Sequence, residues 1–289
     1  MISLEPNRVQ HPAEPVRILL CTSGGLHGSR VMARLTADPR VQVVGVVLSS
    51  RVLGKRNGWL LGVWALYRRS GLRYLLYLWT ATGLVERLAP LDSVQGRAKT
   101  DGIPLHVSRD INDSSGLAFV ERCRSQLLVS AFFNQRIAPE VLQRPSAGAV
   151  NIHPSLLPEL KGVDPVFFAR LRGAAPLGVT LHRVVQELDA GPVLAQAKVD
   201  VAASDSVLAI TARLFERGAD LLLDKLDAIL AGDPGVAQQG VGSYDSWPSS
   251  AQVACLHRAG GALVRATDLR SVFSRRIQHP SDISRDTSH

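Results

Sequence analysis

Two polar side chains stand two residues apart at the end of a short apolar run, where they could line a ligand site. The run Ala149–His153 reads AVNIH and is cut off by Pro154, so Asn151 and His153 point to the same face of a predicted strand. In an open sheet, strand ends of this kind line the ligand crevice. Amide and imidazole N–H groups are donors that can stabilise a developing oxyanion. Taken alone, the pair fits a turn-capping role as well as a functional one.

A carboxylate follows in LDAGP, where Asp189 stands between two predicted strands. An aspartate in front of Ala-Gly is most often a turn former. Its order and spacing relative to the NIHPSLLP segment, the Lys161–Gly162 pair and the GVTLH segment nevertheless indicate more than a chance turn.

Apolar runs with turn signals between them alternate with helical patterns along the chain. The predicted strands are Val16–Cys21, Val41–Leu48, Leu105–Val107, Leu127–Phe132, Ala149–His153, Val179–Val185 and Val193–Val199, and the predicted helices are Ser29–Ala37, Leu117–Arg124 and Val207–Leu230. The alternation predicts an α/β fold with a mostly parallel, twisted sheet and helices on both faces.

The composition is that of a globular protein with a sizeable core. Of 289 residues, 46% are apolar and 20% are charged, which excludes disordered, fibrous and coiled-coil classes. The three cysteines lie far apart without a CxxC pair, which favours neither a disulfide framework nor a cysteine zinc site. We expect residues 1–15 to form an N-terminal leader before the main domain. Because these residues carry no apolar signal-peptide core, we also expect a cytoplasmic protein.

Residues 57–88 form an unusual apolar and basic segment. The stretch from Pro39 to Val85 contains no acidic residue, and basic residues crowd positions 51–73: Arg51, Lys55, Arg56, Arg68, Arg69 and Arg73. Its uncharged runs are about a dozen residues long, whereas a membrane-spanning helix needs roughly 18 or more. The pattern favours two amphipathic helices that cover the sheet or form a homodimer interface. The alternative is a basic helix that contacts a membrane surface or a lipid-like or carrier-tethered substrate.

Three blocks of the sequence together resemble the folate-dependent formyltransferases. The blocks read LLVSAFFNQRIAPEVL, AVNIHPSLLPELKG and GVTLHRVVQELDAGPVL. This family includes the glycinamide ribonucleotide, methionyl-tRNA, sugar and hydroxyornithine formyltransferases. The resemblance implies a Rossmann-like formyltransferase domain over residues 16–232, with a helical insertion at 57–88. Residues 233–289 then form a short C-terminal extension, which we expect to be partly flexible.

The resemblance implies a catalytic trio of Asn151, His153 and Asp189, with N10-formyltetrahydrofolate as the formyl donor. An amine that attacks the formyl carbon creates a tetrahedral intermediate, whose oxyanion needs donors such as the Asn151 amide and the His153 ring. Asp189 can favour the charged ring or position a water that carries a proton. This scheme requires no metal and no covalent intermediate.

The resemblance also implies pterin contacts, made more by the backbone than by side chains. They fall on one segment after a predicted strand and on the loop before the aspartate: Phe132, Phe133, Asn134, Gln135, Arg136, Ile137, Glu187 and Leu188. The two phenylalanines fit the protein core equally well.

A further group of residues is predicted to bind the acceptor: Ser23, Gly24, Gly25, Lys161 and His182. The first three follow a predicted strand and precede a helix, where purine-pathway relatives bind the acceptor's phosphate. That loop lacks the GxGxxG and Walker A spacings, and a simple tight turn is the alternative. Lys161 stands where the commoner LPxxRG form of the motif has an arginine. His182 has either a supporting role at the site or a packing role.

The sequence thus predicts a stand-alone N-formyltransferase acting on a small amine, such as an amino sugar, a hydroxylamine or another biosynthetic precursor. After Gly232 only 57 residues remain, fewer than the tRNA-binding barrel of methionyl-tRNA enzymes needs, and 15 precede Val16, too few for the regulatory domain of the related hydrolases. We accordingly expect no nucleic-acid partner. The alternatives are a methionyl-tRNA or glycinamide ribonucleotide formyltransferase, or a non-catalytic folate- or nucleotide-binding module.

Overall fold

A computed structural model describes residues 14–51, 59–174 and 176–268. The strands are β1 (Val16–Thr22), β2 (Val41–Ser49), β3 (Leu105–Ser108), β4 (Leu127–Ala131), β5 (Ala149–His153), β6 (Leu160–Gly162), β7 (Leu177–Arg183), β8 (Val193–Val199) and β9 (Ser243–Asp245). The α-helices are α1 (Gly25–Ala37), α2 (Trp59–Leu88), α3 (Val94–Thr100), α4 (Ser114–Cys123), α5 (Pro139–Leu142), α6 (Pro165–Arg172), α7 (Val207–Asp224), α8 (Leu226–Leu230) and α9 (Ser250–Arg258). Predictions for the leader, for Lys55, Arg56 and residues 57–58, and for the last 21 residues lie outside the described residues.

Seven strands form one sheet in the order β3-β2-β1-β4-β5-β7-β8. The first five of these run parallel to one another, and β7 and β8 are antiparallel to their neighbours. The prediction of an α/β fold with a mostly parallel sheet is therefore confirmed. β6 and β9 pair separately, which ties the chain beyond Gly232 to the segment that follows β5.

Helices cover both faces of this sheet because successive strand residues point in opposite directions. In β1, Ile18 and Leu20 belong to the apolar core under α1 and α7, whereas Leu19 and Cys21 belong to the core under α4 and α5. All four side chains are fully buried. A strand that is buried on both faces reads as a continuous apolar run, which is why VRILLC was recognisable in the sequence.

The strand order reverses between β1 and β4, and this point opens the crevice at the carboxyl ends of the strands. The two loops that leave these strands are joined directly, since the Ser23 N–H donates to the Phe132 carbonyl over 2.7 Å. β5 lies beside β4, so its last residues reach the same edge of the sheet. The fold thereby brings Asn151 and His153 to the crevice.

The apolar segment from Trp59 onward forms α2, which Gly71 breaks into two helical parts. Gly71 has φ 79°, a left-handed conformation that favours glycine. One face of α2 packs inward, and the hydroxyl of buried Tyr74 donates to the Asp164 carboxylate over 2.8 Å. Asp164 caps α6 by accepting from the Phe167 N–H. The predicted pair of helices is therefore present from Trp59 onward. Through Tyr74 it contacts Asp164 at the start of α6.

Several predicted boundaries shift for identifiable reasons. α1 begins at Gly25 rather than Ser29, because Gly24 adopts φ 74° directly in front of it. β4 ends at Ala131, since Phe132 takes φ 52°. The helix predicted over Val207–Leu230 is divided at Lys225 into α7 and α8. None of the described helices is both long and apolar enough to span a bilayer.

His27 is a fully buried polar side chain within this core. Its ring lies 4.8 Å from that of Phe132 and 5.4 Å from that of Phe215, between ring centroids. Neither ring nitrogen has a hydrogen-bond partner among the described residues. Burial is the largest cause, and Arg30 a smaller one, of a His27 pKa lowered to about 3. The folded state therefore holds this ring neutral, while the unfolded chain binds a proton below its usual pKa of 6.5.

We expect His27→Leu to stabilise the protein and to weaken its sensitivity to acid. Removing an unsatisfied buried group is worth on the order of 1–3 kcal/mol. Because the lowered pKa favours the neutral ring, the wild-type free energy of unfolding falls as pH drops from about 6.5, by about 2 kcal/mol at pH 5 from this group. Urea unfolding at pH 7 and pH 5 measures both effects, with His257→Leu as the control for loss of an exposed histidine. An unchanged pH dependence in His27→Leu would refute this account.

Candidate active site

The register of two strands assembles the polar centre. Asn151 and His153 project from the same face of β5, and antiparallel β7 places His182 opposite Asn151 and Thr180 opposite His153. His153 and His182 are both buried, with their ring centroids 6.4 Å apart. The predicted pair on β5 is thereby joined to a second histidine across the strand pairing.

His182 holds the Asn151 amide in one orientation. Its Nδ1 lies 2.8 Å from the Arg183 carbonyl, which can only accept, so Nδ1 carries the proton. Nε2 is then an acceptor, and the Asn151 amide nitrogen donates to it over 3.0 Å. Burial, followed by the proximity of His153, lowers the His182 pKa to about 4 and keeps the ring neutral. With both nitrogens engaged, His182 positions Asn151 and offers no hydrogen bond to an acceptor.

His153 and Asp189 form the second half of the centre. His153 Nε2 donates to the Leu160 carbonyl over 3.0 Å, and Nδ1 faces an Asp189 carboxylate oxygen at 3.4 Å. A proton on Nδ1 would complete a charge-assisted hydrogen bond between the two side chains. This geometry departs from the expectation that the His153 ring donates to an oxyanion, because its Nε2–H is directed at Leu160. The Asn151 amide has a second N–H, which no hydrogen bond within the described residues uses.

The loop that carries Asp189 is held by contacts distant in sequence. Asp189 has φ 53°, and its second carboxylate oxygen accepts from the Gly162 N–H over 3.2 Å. The Gln238 amide donates to the Asp189 and Gly191 carbonyls, over 2.9 Å and 2.8 Å. A side chain at Gly191 would place Cβ 1.8 Å from the Arg183 carbonyl oxygen, so only glycine lets the loop approach β7 this closely.

The chain leaving β5 is also fixed by hydrogen bonds. The Thr180 hydroxyl donates to the Ser155 carbonyl over 2.7 Å and accepts from the Leu157 N–H over 3.0 Å. The Ser155 hydroxyl donates to the Leu160 carbonyl, which also accepts from His153. These bonds place the Leu160 carbonyl where it sets the orientation of the His153 ring.

The predicted pterin segment follows β4, and several of its side chains serve the protein core. The Phe132 ring packs against His27 and Phe215, and Ile137 is buried. Buried Gln135 donates to the Ser49 hydroxyl and the Ser108 carbonyl, and it accepts from the Ile111 N–H.

The remaining residues of that segment and of the Asp189 loop are more accessible. Asn134 is exposed, although its side-chain amide accepts a hydrogen bond from the Ser49 hydroxyl and donates one to the Arg51 carbonyl. Phe133 is half-buried, and exposure is greater at Arg136, Glu187 and Leu188. Contact with a pterin stays a prediction for all of these positions, and for the buried ones it would have to use the backbone.

The loop predicted to bind phosphate is covered by α2. Gly24 and Gly25 are buried, and a Cβ at Gly25 would lie 2.2 Å from the Ala81 carbonyl oxygen. The Gly25 N–H points to the Glu86 carboxylate at 3.4 Å. A carboxylate of the protein thus lies at the amino end of α1. Its negative charge disfavours a phosphate site at Ser23, Gly24 and Gly25. Half-buried Lys161 lies on β6 beside Tyr244 of β9.

Three contributors to this geometry were not predicted from the sequence. Gln238 and Glu86 are separated by 49 and 61 residues from the groups they contact, and nothing in their local sequence marks them. Thr180 could have been noticed, because it lies two residues before His182 and therefore on the same face of β7.

Sequence comparison identifies one family over the centre of the chain. Residues 99–226 match the family model described as formyl transferase. Among curated relatives, the methionyl-tRNA formyltransferase of Listeria innocua serovar 6a is 37% identical over 131 residues, which are 45% of this chain and 42% of that protein. The chain thus spans about two fifths of the length of the curated relatives it matches.

Two solved structures share the fold. Phosphoribosylglycinamide formyltransferase from Anaplasma phagocytophilum has a TM-score of 0.53 and 24% identity, covering 80% of this chain and all of that one (100%). WlaRD, a sugar 3N-formyl transferase studied in the presence of dTDP and 5-N-formyl-THF, has a TM-score of 0.51 and 15% identity. The match covers 81% of this chain and 70% of that one. The matched segment contains Asn151, His153 and His182 together with the Asp189 loop. Residues 99–226 of this chain are therefore similar to the formyl transferase family.

Proposed function

We propose that this protein transfers a formyl group from N10-formyltetrahydrofolate to the amine of a small-molecule acceptor. The observation that carries the proposal is the clustering of Asn151, His153 and Asp189 at the end of β5, within the segment that matches the family. An oriented amide, an imidazole and a carboxylate supply the donor and the proton carriers that acyl transfer requires.

The folate would lie along the segment after β4 and the Asp189 loop. Both loops adopt left-handed backbone conformations, at Phe132 and Asp189, that turn the chain sharply beside the crevice. The resemblance of these segments to folate-dependent enzymes supports this placement, as does the 5-N-formyl-THF present with the sugar enzyme of the same fold. When bound, the folate supplies an activated formyl group on N10.

The residues of the centre divide the chemistry between them. The second N–H of the Asn151 amide would donate to the formyl oxygen as negative charge develops during amine attack. A new bond forms between the acceptor nitrogen and the formyl carbon, and the bond from that carbon to N10 breaks. The attacking amine must lose a proton and N10 must gain one. Asp189 and His153, which face each other over 3.4 Å, would carry that proton directly or through a water.

We further propose that the acceptor places no phosphate at the amino end of α1. The Glu86 carboxylate already faces the Gly25 N–H, and the backbone of α2 lies against the same glycine. A phosphate there would meet a like charge and would need the space that α2 fills. This favours an acceptor such as an amino sugar or a hydroxylamine, bound elsewhere along the crevice, over glycinamide ribonucleotide.

Methionyl-tRNA formylation is the second candidate function. It is favoured by the 37% identity to the Listeria innocua enzyme over 131 residues. Tetrahydrofolate release in the presence of the formyl donor distinguishes the candidates when the chain is offered methionyl-tRNA, amino sugar nucleotides and hydroxylamines in parallel. Tetrahydrofolate release without any amine would indicate a hydrolase, and absence of release with every amine would indicate a non-catalytic protein. Either result would contradict formyl transfer.

His182 is predicted to stay neutral, with its proton on Nδ1, throughout the physiological pH range. Burial lowers its pKa to about 4, so the charged form is reached only in acid, where Asn151 would lose its acceptor. Long-range proton–nitrogen NMR correlations of the histidine rings measure both the tautomer and the titration. A proton on Nε2, or titration at or above pH 6.5, would contradict the orientation assigned to the Asn151 amide.

His153→Ala is expected to lower turnover by at least about a hundredfold while leaving folate affinity nearly unchanged. The variant removes the partner of Asp189 in proton transfer, a contribution that is typically about 10²–10⁴-fold. Initial rates of tetrahydrofolate release with the best acceptor, together with folate binding by calorimetry, measure the two quantities. His257→Ala, an exposed histidine on α9, is the matched control. Near-normal turnover in His153→Ala would remove this ring from the mechanism.

Glycinamide ribonucleotide is predicted to be a poor acceptor because Glu86 and α2 close the α1 amino end. We expect its kcat/KM to lie well below the range of about 10⁴–10⁸ M⁻¹ s⁻¹ that is usual for enzymes acting on their own substrates. The same assay with added inorganic phosphate should show no competition against the true acceptor. Efficient formylation of this ribonucleotide would overturn the assignment of Glu86.

A further inference from the structure

Both helical parts of α2 expose large apolar side chains. The α2 outer face is defined here by Leu60, Leu61, Trp64, Tyr67, Leu72, Leu76 and Trp79, each between 47% and 70% exposed. Half of the sixteen large apolar side chains exposed in the described part of the chain belong to this one helix. The opposite side is already buried through residues such as Leu66, Tyr77 and Leu84. Packing among the residues that the structure describes therefore does not account for the outer face, and such a patch indicates an interaction site.

The charged residues on the part of α2 that carries this face are all basic. No acidic residue occurs between Pro39 and Val85, so the only charged residues within α2 before Glu86 are Arg68, Arg69 and Arg73. Arg68 and Arg73 are exposed, and the Arg68 guanidinium lies 5.2 Å from the centre of the Trp64 ring. Exposed aromatic and leucine side chains beside arginine characterise helices that lie in the interface of an anionic bilayer.

The same charge pattern disfavours a second copy of the chain as the occupant. A twofold contact would bring the same surface of both copies together and would set the arginines of one against those of the other. An anionic lipid surface instead neutralises these charges while the apolar side chains enter the boundary between headgroups and acyl chains. The outer face therefore suits a membrane better than a dimer.

We propose that the α2 outer face binds the surface of an anionic phospholipid bilayer, with α2 lying in the plane of the interface. Tyr74 and Tyr77 project from the inner side of the same helix, and the Tyr74–Asp164 hydrogen bond anchors it to α6. The docking surface is thus rigidly attached to the elements that follow the candidate active site. Its binding to lipid does not depend on the identity of the formyl acceptor.

The full chain should sediment with vesicles of equal parts phosphatidylglycerol and phosphatidylcholine, and far less with vesicles of phosphatidylcholine alone. The double variant Trp64→Glu with Leu76→Glu should reduce binding at least about tenfold, because each apolar side chain contributes that much when buried. Arg68→Gln with Arg73→Gln should also reduce it, by about fivefold for each arginine. Salt at about 0.5 M should weaken binding through screening.

Matched controls keep the experiment decisive. Val107→Glu with Val241→Glu alters two exposed apolar residues elsewhere, and Arg144→Gln with Arg217→Gln alters two arginines away from α2, so all four substitutions should leave vesicle binding unchanged. Circular dichroism and thermal unfolding establish that each variant is folded.

Three results would overturn the proposal. The first is absence of binding to the anionic vesicles, and the second is binding that persists in Trp64→Glu with Leu76→Glu. The third is a concentration-dependent dimer, detected by sedimentation velocity, that these same substitutions dissociate. That third outcome would make the face an interface between copies of this chain.

Discussion

The candidate active site depends on a neutral histidine buried between two strands. His182 can accept from Asn151 only because its other nitrogen donates to the Arg183 carbonyl, and burial keeps the ring uncharged. The antiparallel register of β5 and β7 makes this contact possible, since it sets His182 directly opposite Asn151. A parallel strand in the position of β7 would give a different register, and the amide would lose its fixed direction. The sheet therefore changes strand direction at the point where the chemistry needs an oriented donor.

His153 and Asp189 meet through a different set of constraints. The aspartate lies on a loop rather than on a strand, and its place is set by Gly162, Gln238 and the close approach of Gly191 to β7. Gln238 belongs to the segment beyond β8 and α8, and that segment also contributes β9 to the small second sheet. The part of the chain beyond Gly232 is thus linked physically to the site, although its sequence contains no motif of the family.

The long helix α2 has two opposite consequences for the molecule. Its inner side places the Glu86 carboxylate and the backbone at Ala81 against the amino end of α1. Its outer side leaves leucine and aromatic side chains exposed beside arginines. One helix therefore underlies both proposals, that of the acceptor class and that of the membrane contact. Both effects arise because α2 is apolar around most of its circumference, whereas an ordinary surface helix is apolar on one side.

The sequence by itself determined the α/β class, most of the strands and the identity of the polar residues at the site. Continuous apolar runs are what a strand buried on both faces requires, and the NIHPSLLP and LDAGP segments are informative because close backbone packing limits which residues fit there. Sequence alone could not show that the His153 Nε2–H is directed at Leu160, that His182 is an acceptor, or that Glu86 lies at the α1 amino end. Those features are contacts between residues distant along the chain, and the direction of each hydrogen bond depends on which carbonyl or carboxylate the folded chain brings to the other nitrogen. The tertiary structure decided these hydrogen bonds, because their partners come together only when the sheet packs. No local sequence pattern identifies such a partner.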